Sequence, residues 1–376
     1  MNAVGIIFSS MNEKSVYELT KQRTMASVPF GCRYRLIDFA LSNMVNSGIN
    51  HVGLVTHYNY QSLMDHIGSG KDWDLARRHG GIKILPPYIT AFANNSNYLY
   101  NTRLEALISV RDFIADCKEE YVVLSDCDTV CNLDLSAMVE KHIESGADMT
   151  LGVKSSYICS DRIRATTIVN SDESGKVTDI GEFSSVACGF SDVYIRILVI
   201  GRKYLEEIIA DSIAHGYTSF TKDILIRNHK KYDCQVYKFD GYFATIRSIN
   251  DYYNCSMDML DPEIRRSILS VPTRPVLTKV RNSAPASYVN GAIVRNSLIA
   301  DGCVIEGTVE NSILFRGVKV GKNTHIKNSI IMQDTITGEN VYLNCVITDK
   351  NVVIRDGRVL SGYETRPFFI DKGSYV

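Results

Sequence analysis

The chain has 376 residues, 45% apolar side chains, ten cysteines and a formal net charge of −1. That length exceeds one ordinary domain and implies two or three. A charge so near zero suggests no polyanion-binding surface and no charged disordered tail, so nucleic acid is not an expected partner.

Met1–Phe8 is apolar but has no basic n-region and is too short for a signal h-region or a membrane span. It reads as the first buried strand of a cytoplasmic protein with no membrane partner. The closest cysteines, Cys127 and Cys131, have no companion Cys or His set at zinc-site spacing. Buried, reduced thiols are expected.

From residue 1 to 255 short β-branched runs alternate with helical segments, as in a parallel α/β sheet with its loops at one edge. The strand runs are Val4–Phe8, His51–Thr56, Tyr121–Ser125, Met149–Val153, Tyr194–Ile200 and Gln235–Phe239. The amphipathic stretches are Ile37–Ser47, Arg103–Cys117, Leu135–Ser145 and Arg202–Ala210. Asp126 and Asp128 fall at a strand end, where α/β enzymes place ligand chemistry. A helical stretch, Asp251–Leu269, passes from the first domain into a connector over residues 256–284, which leads into a third region over 285–376.

That region repeats one small pattern: Asn296-Ser-Leu-Ile299, Asn311-Ser-Ile-Leu314, Asn328-Ser-Ile-Ile331 and Asn344-Cys-Val-Ile347. A six-residue apolar period runs through Ile293, Ile299, Ile305, then Leu314, Val320, Ile326, Met332, then Val341, Ile347, Val353, Val359. Hexads with glycine corners indicate a left-handed parallel β-helix, and two phase slips predict coils of unequal length. An antiparallel sandwich is the alternative, disfavoured by poor alternation. An apolar β-helix face needs a cover, expected from the connector, the α/β domain and another subunit.

A Rossmann-like α/β domain followed by a hexapeptide β-helix, together with Val28–Ile49, Trp73-Asp-Leu75, Gly80-Gly81 and Leu85-Pro-Pro-Tyr88, resembles bacterial glucose-1-phosphate adenylyltransferase, or ADP-glucose pyrophosphorylase. The resemblance covers essentially the whole chain. It implies a nucleotidyltransferase fold and a family reaction in which ATP and glucose 1-phosphate give ADP-glucose and pyrophosphate. That chemistry needs Mg²⁺, basic side chains and backbone amides to neutralise phosphate charge.

Set against the family's motifs, this chain departs at most of the charged positions. The glycines of the phosphate loop fall on Ser10, Met11 and Glu13, and its arginine on Ser15. The Ala-Lys-Pro lysine becomes Met25, and Arg23 is not expected to point the same way. The base-contacting glutamine becomes His57, which reads as a packing residue. The first metal-binding acid survives as Asp128, while the second becomes Thr245, with Arg247 in place of a glycine. Asp126 is expected to face away from Asp128. Glu-Lys-Pro becomes Glu182-Phe183-Ser184, and Phe220-Thr221-Lys222-Asp223 keeps a lysine. Glu182 and Lys222 are therefore expected as a vestigial substrate site, and Asp128 as a vestigial catalytic acid with no intact metal site.

The pattern looks like the catalytically degenerate GlgD type of subunit. It implies a chain that binds no cofactor itself and joins a Mg²⁺-dependent catalytic subunit in a hetero-oligomer, expected to be a tetramer, with self-association as the variant. Its expected role is to raise or retune that partner's activity. Arg33 and Arg35 lie where the family carries an effector-linked lysine, so they are expected either to bind an anionic metabolite or to pair with Asp38 or other carboxylates. The rival expectation is an active sugar-phosphate nucleotidyltransferase using Asp128 and Lys222. An acyltransferase on the β-helix is disfavoured, because His325 is the one histidine there.

Overall fold

The computed structural model describes residues 1–9, 13–87, 100–158, 166–182, 189–289 and 291–376. Nine strands build the central sheet: β1 Ala3–Phe8, β2 His51–Val55, β3 Gly81–Leu85, β4 Tyr121–Asp126, β5 Met149–Ile158, β6 Thr167–Ser171, β7 Val177–Glu182, β8 Gly189–Gly201 and β9 Cys234–Lys238. Their spatial order is β7-β6-β8-β4-β1-β2-β3, with β5 beside β8 and β9 beside β5. The strands β4, β1, β2 and β3 run parallel, and β8 turns antiparallel to β4, β5 and β6.

The sheet is therefore mixed, where the sequence suggested a parallel one; β-branched runs report burial and carry no information on direction. The strands β3, β6 and β7 had no expected counterpart. The partly exposed faces of β6 and β7 break the apolar run that marks a buried strand.

Six-residue β1 is buried on both faces, as parallel strands covered by helices require. On one side pack α1 Leu36–Asn46, α2 Gln61–Ile67 and, further along the sheet, α5 Leu135–Ser145. On the other pack α3 Arg103–Ser109, α4 Arg111–Asp116 and α6 Arg202–His215. Gly5 lets α1 lie close, since a Cβ there would stand 2.8 Å from the Met44 sulfur. The stretch read as one helix, Arg103–Cys117, divides at Val110 into α3 and α4. The connector likewise divides into α7 Ile249–Asp258 and α8 Pro262–Leu269, because Asp261 and Pro262 restart the helix with a capping side chain and a proline at its first position.

From Ser287 the chain winds into a left-handed β-helix of three five-stranded parallel sheets. The coils are unequal, as the phase slips imply. Leu298 stacks on Ile313 after 15 residues, Ile313 on Ile330 after 17, and Val346 on Phe368 after 22.

Ile305, Leu314, Val320 and Ile326 fill the interior. Ile293 and Val359, at the ends of the period, instead face outward. Asn296, Asn311 and Asn328 take the left-handed corner (φ 40°, 45° and 47°) that asparagine tolerates best after glycine. The fourth repeat is shifted by one residue: Ile347 pairs with Ile330, so Cys345 (φ 50°) turns that corner and Asn344 ends the preceding strand.

One apolar cluster joins the two domains. Phe30, Leu36 and Phe39 pack with Tyr252, Tyr253 and Met259 of the connector and with Ile313, Phe315, Ile330 and Met332 of the β-helix. Within it lies a buried ion pair, Arg23 with Asp349, in which one guanidinium nitrogen stands 2.8 Å from both carboxylate oxygens.

Candidate functional site

Parallel register puts Phe8, Val55, Leu85 and Asp126 in one row at the carboxyl edge of the sheet, where ligands bind in open α/β folds. Ser10 and Met11 lie outside the described residues, as do Phe183, Ser184, Tyr88 and the side chain of Glu13. The rest of the site is in view. Met25, where the resemblance implies a phosphate-facing lysine, is buried among Leu19, Phe30 and Phe39. Arg23 points away from the sheet edge to Asp349. His57 is half-buried against Tyr58 and Tyr100, with Nε2 2.9 Å from the Tyr100 carbonyl, and burial lowers its pKa. It packs, as the sequence suggested.

Asp126 and Asp128, expected to face apart, face the same way. Asp126 ends β4 and Cys127 after it enters the opposite core, so Asp128 comes back to the side of Asp126, where both meet Arg196. Both carboxylates are almost fully buried, and arginines meet them. Arg196 Nη1 lies 3.0 Å from Asp128 Oδ2 and 3.4 Å from Asp126 Oδ2, while Arg103 donates to the same Asp126 oxygen.

Local structure fixes each arginine. Thr102 caps α3, taking the Glu105 amide at 3.2 Å while Glu105 takes the Thr102 amide at 3.1 Å; this capping box sets Arg103 in the first turn. Arg196 sits in the bulge of β8 with φ 61°, a left-handed backbone that costs a non-glycine residue about 1–3 kcal/mol. Burial opposes the charge of Arg103, but Asp126, Tyr194 and Asp128 more than offset it and raise its pKa.

Thr245 pairs with Thr129 beside the Asp128 turn, and the Ile246 amide donates to the Asp128 carbonyl at 2.8 Å. The position of the second metal acid is thus adjacent to Asp128 and holds a hydroxyl. Arg247 follows, its amide on Asp251 at 3.1 Å and Nη1 on Thr166 at 2.9 Å. Burial, then Arg196, lowers its pKa, and Asp128 partly restores it. A divalent cation does not fit these residues: octahedral Mg²⁺ needs carboxylate oxygens directed at it, and here guanidinium groups stand against them.

Glu182 and Lys222 do come together, 3.9 Å apart, but both are largely exposed and such a pair contributes little. In the same motif Phe220 enters the core and Asp223 accepts the Thr218 and Ser219 amides.

A second site was only half visible in the sequence. Arg33 and Arg35 open a small cleft of about 30 Å³ between the domains, joined there by Arg281, Arg316, Lys350 and His66. Arg35 Nη1 donates to the Ser62 carbonyl at 2.6 Å, and Asp38 accepts the Arg35 amide and meets His66 at 2.6 Å. Of the five cations only Arg316 is held by a carboxylate among the described residues, Asp301 at 3.0 Å. Burial, then neighbouring arginines, lowers Lys350 to about 7, and burial lowers Arg35 to about 10. Arg281, Arg316 and Lys350 escaped sequence reading because folding alone brings the connector and coils to residues 29–35. Arg196 had a signal: a lone charge inside the apolar run Tyr194–Ile200.

A nucleotidyl transferase model matches residues 5–182, and a GlmU-like C-terminal hexapeptide model matches residues 284–366. The glycogen biosynthesis protein GlgD of Bacillus subtilis is 33% identical over 98% of this chain and 96% of its own length. The chain belongs to the GlgD-type glucose-1-phosphate adenylyltransferase family. Within it, the GlgD of Geobacillus stearothermophilus is 36% identical over 99% of this chain and 96% of its own, and the glucose-1-phosphate adenylyltransferase of Bacillus mycoides 32% over 95% and 94%. No helix among the described residues of this GlgD-type chain is long and apolar enough to cross a membrane.

Proposed function

We propose that this chain is a catalytically degenerate, regulatory member of its family that acts in glycogen biosynthesis through a catalytic glucose-1-phosphate adenylyltransferase, in the cytoplasm. The observation that carries this reading is the pairing of Asp126 and Asp128 with Arg103 and Arg196. A site that must bind Mg²⁺ and a triphosphate keeps its carboxylates for the metal and its cations for phosphate; here the two sets neutralise each other. With lysine absent at Met25 and a carboxylate absent at Thr245, several transition-state contacts are missing at once, and one alone commonly supplies two to three orders of magnitude. Mg²⁺ belongs, on this reading, to the catalytic partner. The solenoid leaves Tyr288, Ile293, Val359 and Phe368 exposed, which supports a hetero-oligomeric contact along the β-helix.

The cleft of Arg33, Arg35, Arg281, Arg316 and Lys350 suits the anionic group of a metabolite whose remainder stays outside it. It lies between the domains, so an anion there stabilises one arrangement of them. The test is kinetic: the purified chain is assayed alone with Mg²⁺, several nucleoside triphosphates and sugar phosphates, and then together with the catalytic enzyme. The expected result is no turnover alone and an altered rate or affinity in the partner. Substantial product from any substrate pair, using Asp128 and Lys222, would establish the active-enzyme reading instead. A partner that neither binds nor responds would end the regulatory one.

A further inference from the structure

The amino-terminal edge of the sheet, opposite the arginine-filled site, carries a separate cluster. His51 opens β2, Cys117 ends α4, and Glu119 lies in the turn before β4. The turn crosses below β1, where Asn2 accepts the Glu120 and Tyr121 amides, and so reaches His51 two strands away. The ring nitrogen of His51, the thiol of Cys117 and a carboxylate oxygen of Glu119 lie within 4.8 Å of one another.

We propose that His51, Cys117 and Glu119 form a Zn²⁺ site. One nitrogen, one sulfur and one carboxylate oxygen are the donors this borderline metal takes, and three protein ligands leave a fourth position for water. Tetrahedral Zn²⁺ sets its donors about 3.3–3.7 Å apart, so the His51–Glu119 contact opens slightly and a pair near the 4.8 Å limit closes by about 1 Å, within the reach of side-chain rotation.

His51 Nδ1 is already 2.9 Å from Glu119 Oε1, and Arg202 Nε fixes the Glu119 carbonyl at 2.9 Å. Burial opposes ionisation of Glu119, but hydrogen bonds from His51 and backbone amides outweigh it and keep the carboxylate charged. Cys117 donates its S–H to the Phe113 carbonyl at 3.1 Å, and burial pushes the thiol up to about 11. The metal must therefore displace a proton: the Sγ–H bond breaks, the S–Zn bond forms and H⁺ goes to solvent, while the Nδ1 proton that His51 shares with Glu119 moves through solvent to Nε2 and leaves the imidazole neutral. Zn²⁺, thiolate, carboxylate and neutral imidazole then sum to zero charge, which suits a half-buried site. His51 and Glu119 keep 23% and 22% of their side chains exposed, enough for entry.

No local motif marks this site, since the ligands are separated by 66 and 2 positions and none of the spacings is a zinc signature.

The experiment uses the reduced full-length chain with Co²⁺ as the spectroscopic probe and Zn²⁺ as competitor. One equivalent of Co²⁺ gives the visible bands of tetrahedral coordination and a near-ultraviolet thiolate-to-cobalt band, and one equivalent of Zn²⁺ removes both. Cys117→Ser abolishes the thiolate band, His51→Gln weakens Co²⁺ at least about tenfold, and Cys234→Ser, at a distant buried thiol, changes neither. Far-ultraviolet circular dichroism of each metal-free variant checks the fold; should Cys117→Ser fail to fold, His51→Gln decides. Absence of the thiolate band at saturating Co²⁺, its survival in Cys117→Ser, or an undiminished affinity in folded His51→Gln would overturn the proposal.

Discussion

Replacing Arg23 by methionine tests how the two domains are held together. Arg23 and Asp349 are 3% and 6% exposed, with the guanidinium 2.8 Å from both carboxylate oxygens, and the contact spans 326 residues. At that distance an effective dielectric near 20 gives an attraction of about 6 kcal/mol, most of it offset by the desolvation of both ions. Removing one partner forfeits the attraction while the other ion stays buried, so Arg23→Met costs about 3–5 kcal/mol.

The double variant Arg23→Met/Asp349→Leu removes both charges and regains most of that loss, because an apolar pair in a buried site is neutral or better. Denaturant unfolding can be followed through Trp73, the single tryptophan, fully buried in the α/β domain, and through far-ultraviolet circular dichroism for the β-helix. Arg23→Met lowers both transitions, since the pair lies in the core they share. A single-variant loss below about 1 kcal/mol, the scale of an exposed pair, or a double variant no better than the sum of the singles, would refute the argument.

Three further outcomes follow from the sites described. Lys350 holds its proton to about pH 7 in the folded chain and to 10.5 as an ordinary lysine, so across that window the unfolded chain carries the extra proton and stability rises with pH. Sulfate, which does not titrate there, binds the cleft through the protonated amine: its affinity falls as pH rises from about 6 to 8 with proton uptake by calorimetry, and a flat profile contradicts this assignment. Arg196→Gly removes the left-handed strain and one guanidinium from the Asp126–Asp128 pair, so Mn²⁺ affinity by electron paramagnetic resonance rises at least about tenfold; no gain would show that Arg196 does not guard the carboxylates. Gly321→Ala would put a Cβ 2.2 Å from the Gly338 carbonyl of the next coil, and overpacking costs about 1–3 kcal/mol in thermal unfolding. An unchanged melting temperature would mean the coils are not stacked so closely.

The parts of this molecule that repeat were legible in its sequence. Ile305, Leu314, Val320 and Ile326 kept a six-residue period because each fills the same interior position, and the unequal coils followed from the slips. The one-residue shift at Cys345 was hidden, because Asn344-Cys-Val-Ile347 imitates the repeat while the pairing of Ile347 with Ile330 overrides it. Losses such as Met25 and Thr245 could be read one residue at a time. The contacts made in the folded chain could not: Arg196 reaches Asp128 across strand partners, and Arg281 and Lys350 line one cleft with Arg35 across a domain boundary. Pairings between distant positions leave no local pattern.

On the proposed reading, the arginine pair at Asp126 and Asp128 also bears on whether metal ligation could be built here by single steps. Removing Arg103 or Arg196 first strips a buried carboxylate of its counterion, and restoring an acid at Thr245 first adds negative charge beside a pair already satisfied. Each reversion is uphill unless the others accompany it. On the degenerate-subunit reading proposed above, the four side chains therefore act as a lock: stability alone opposes each single step toward a metal site.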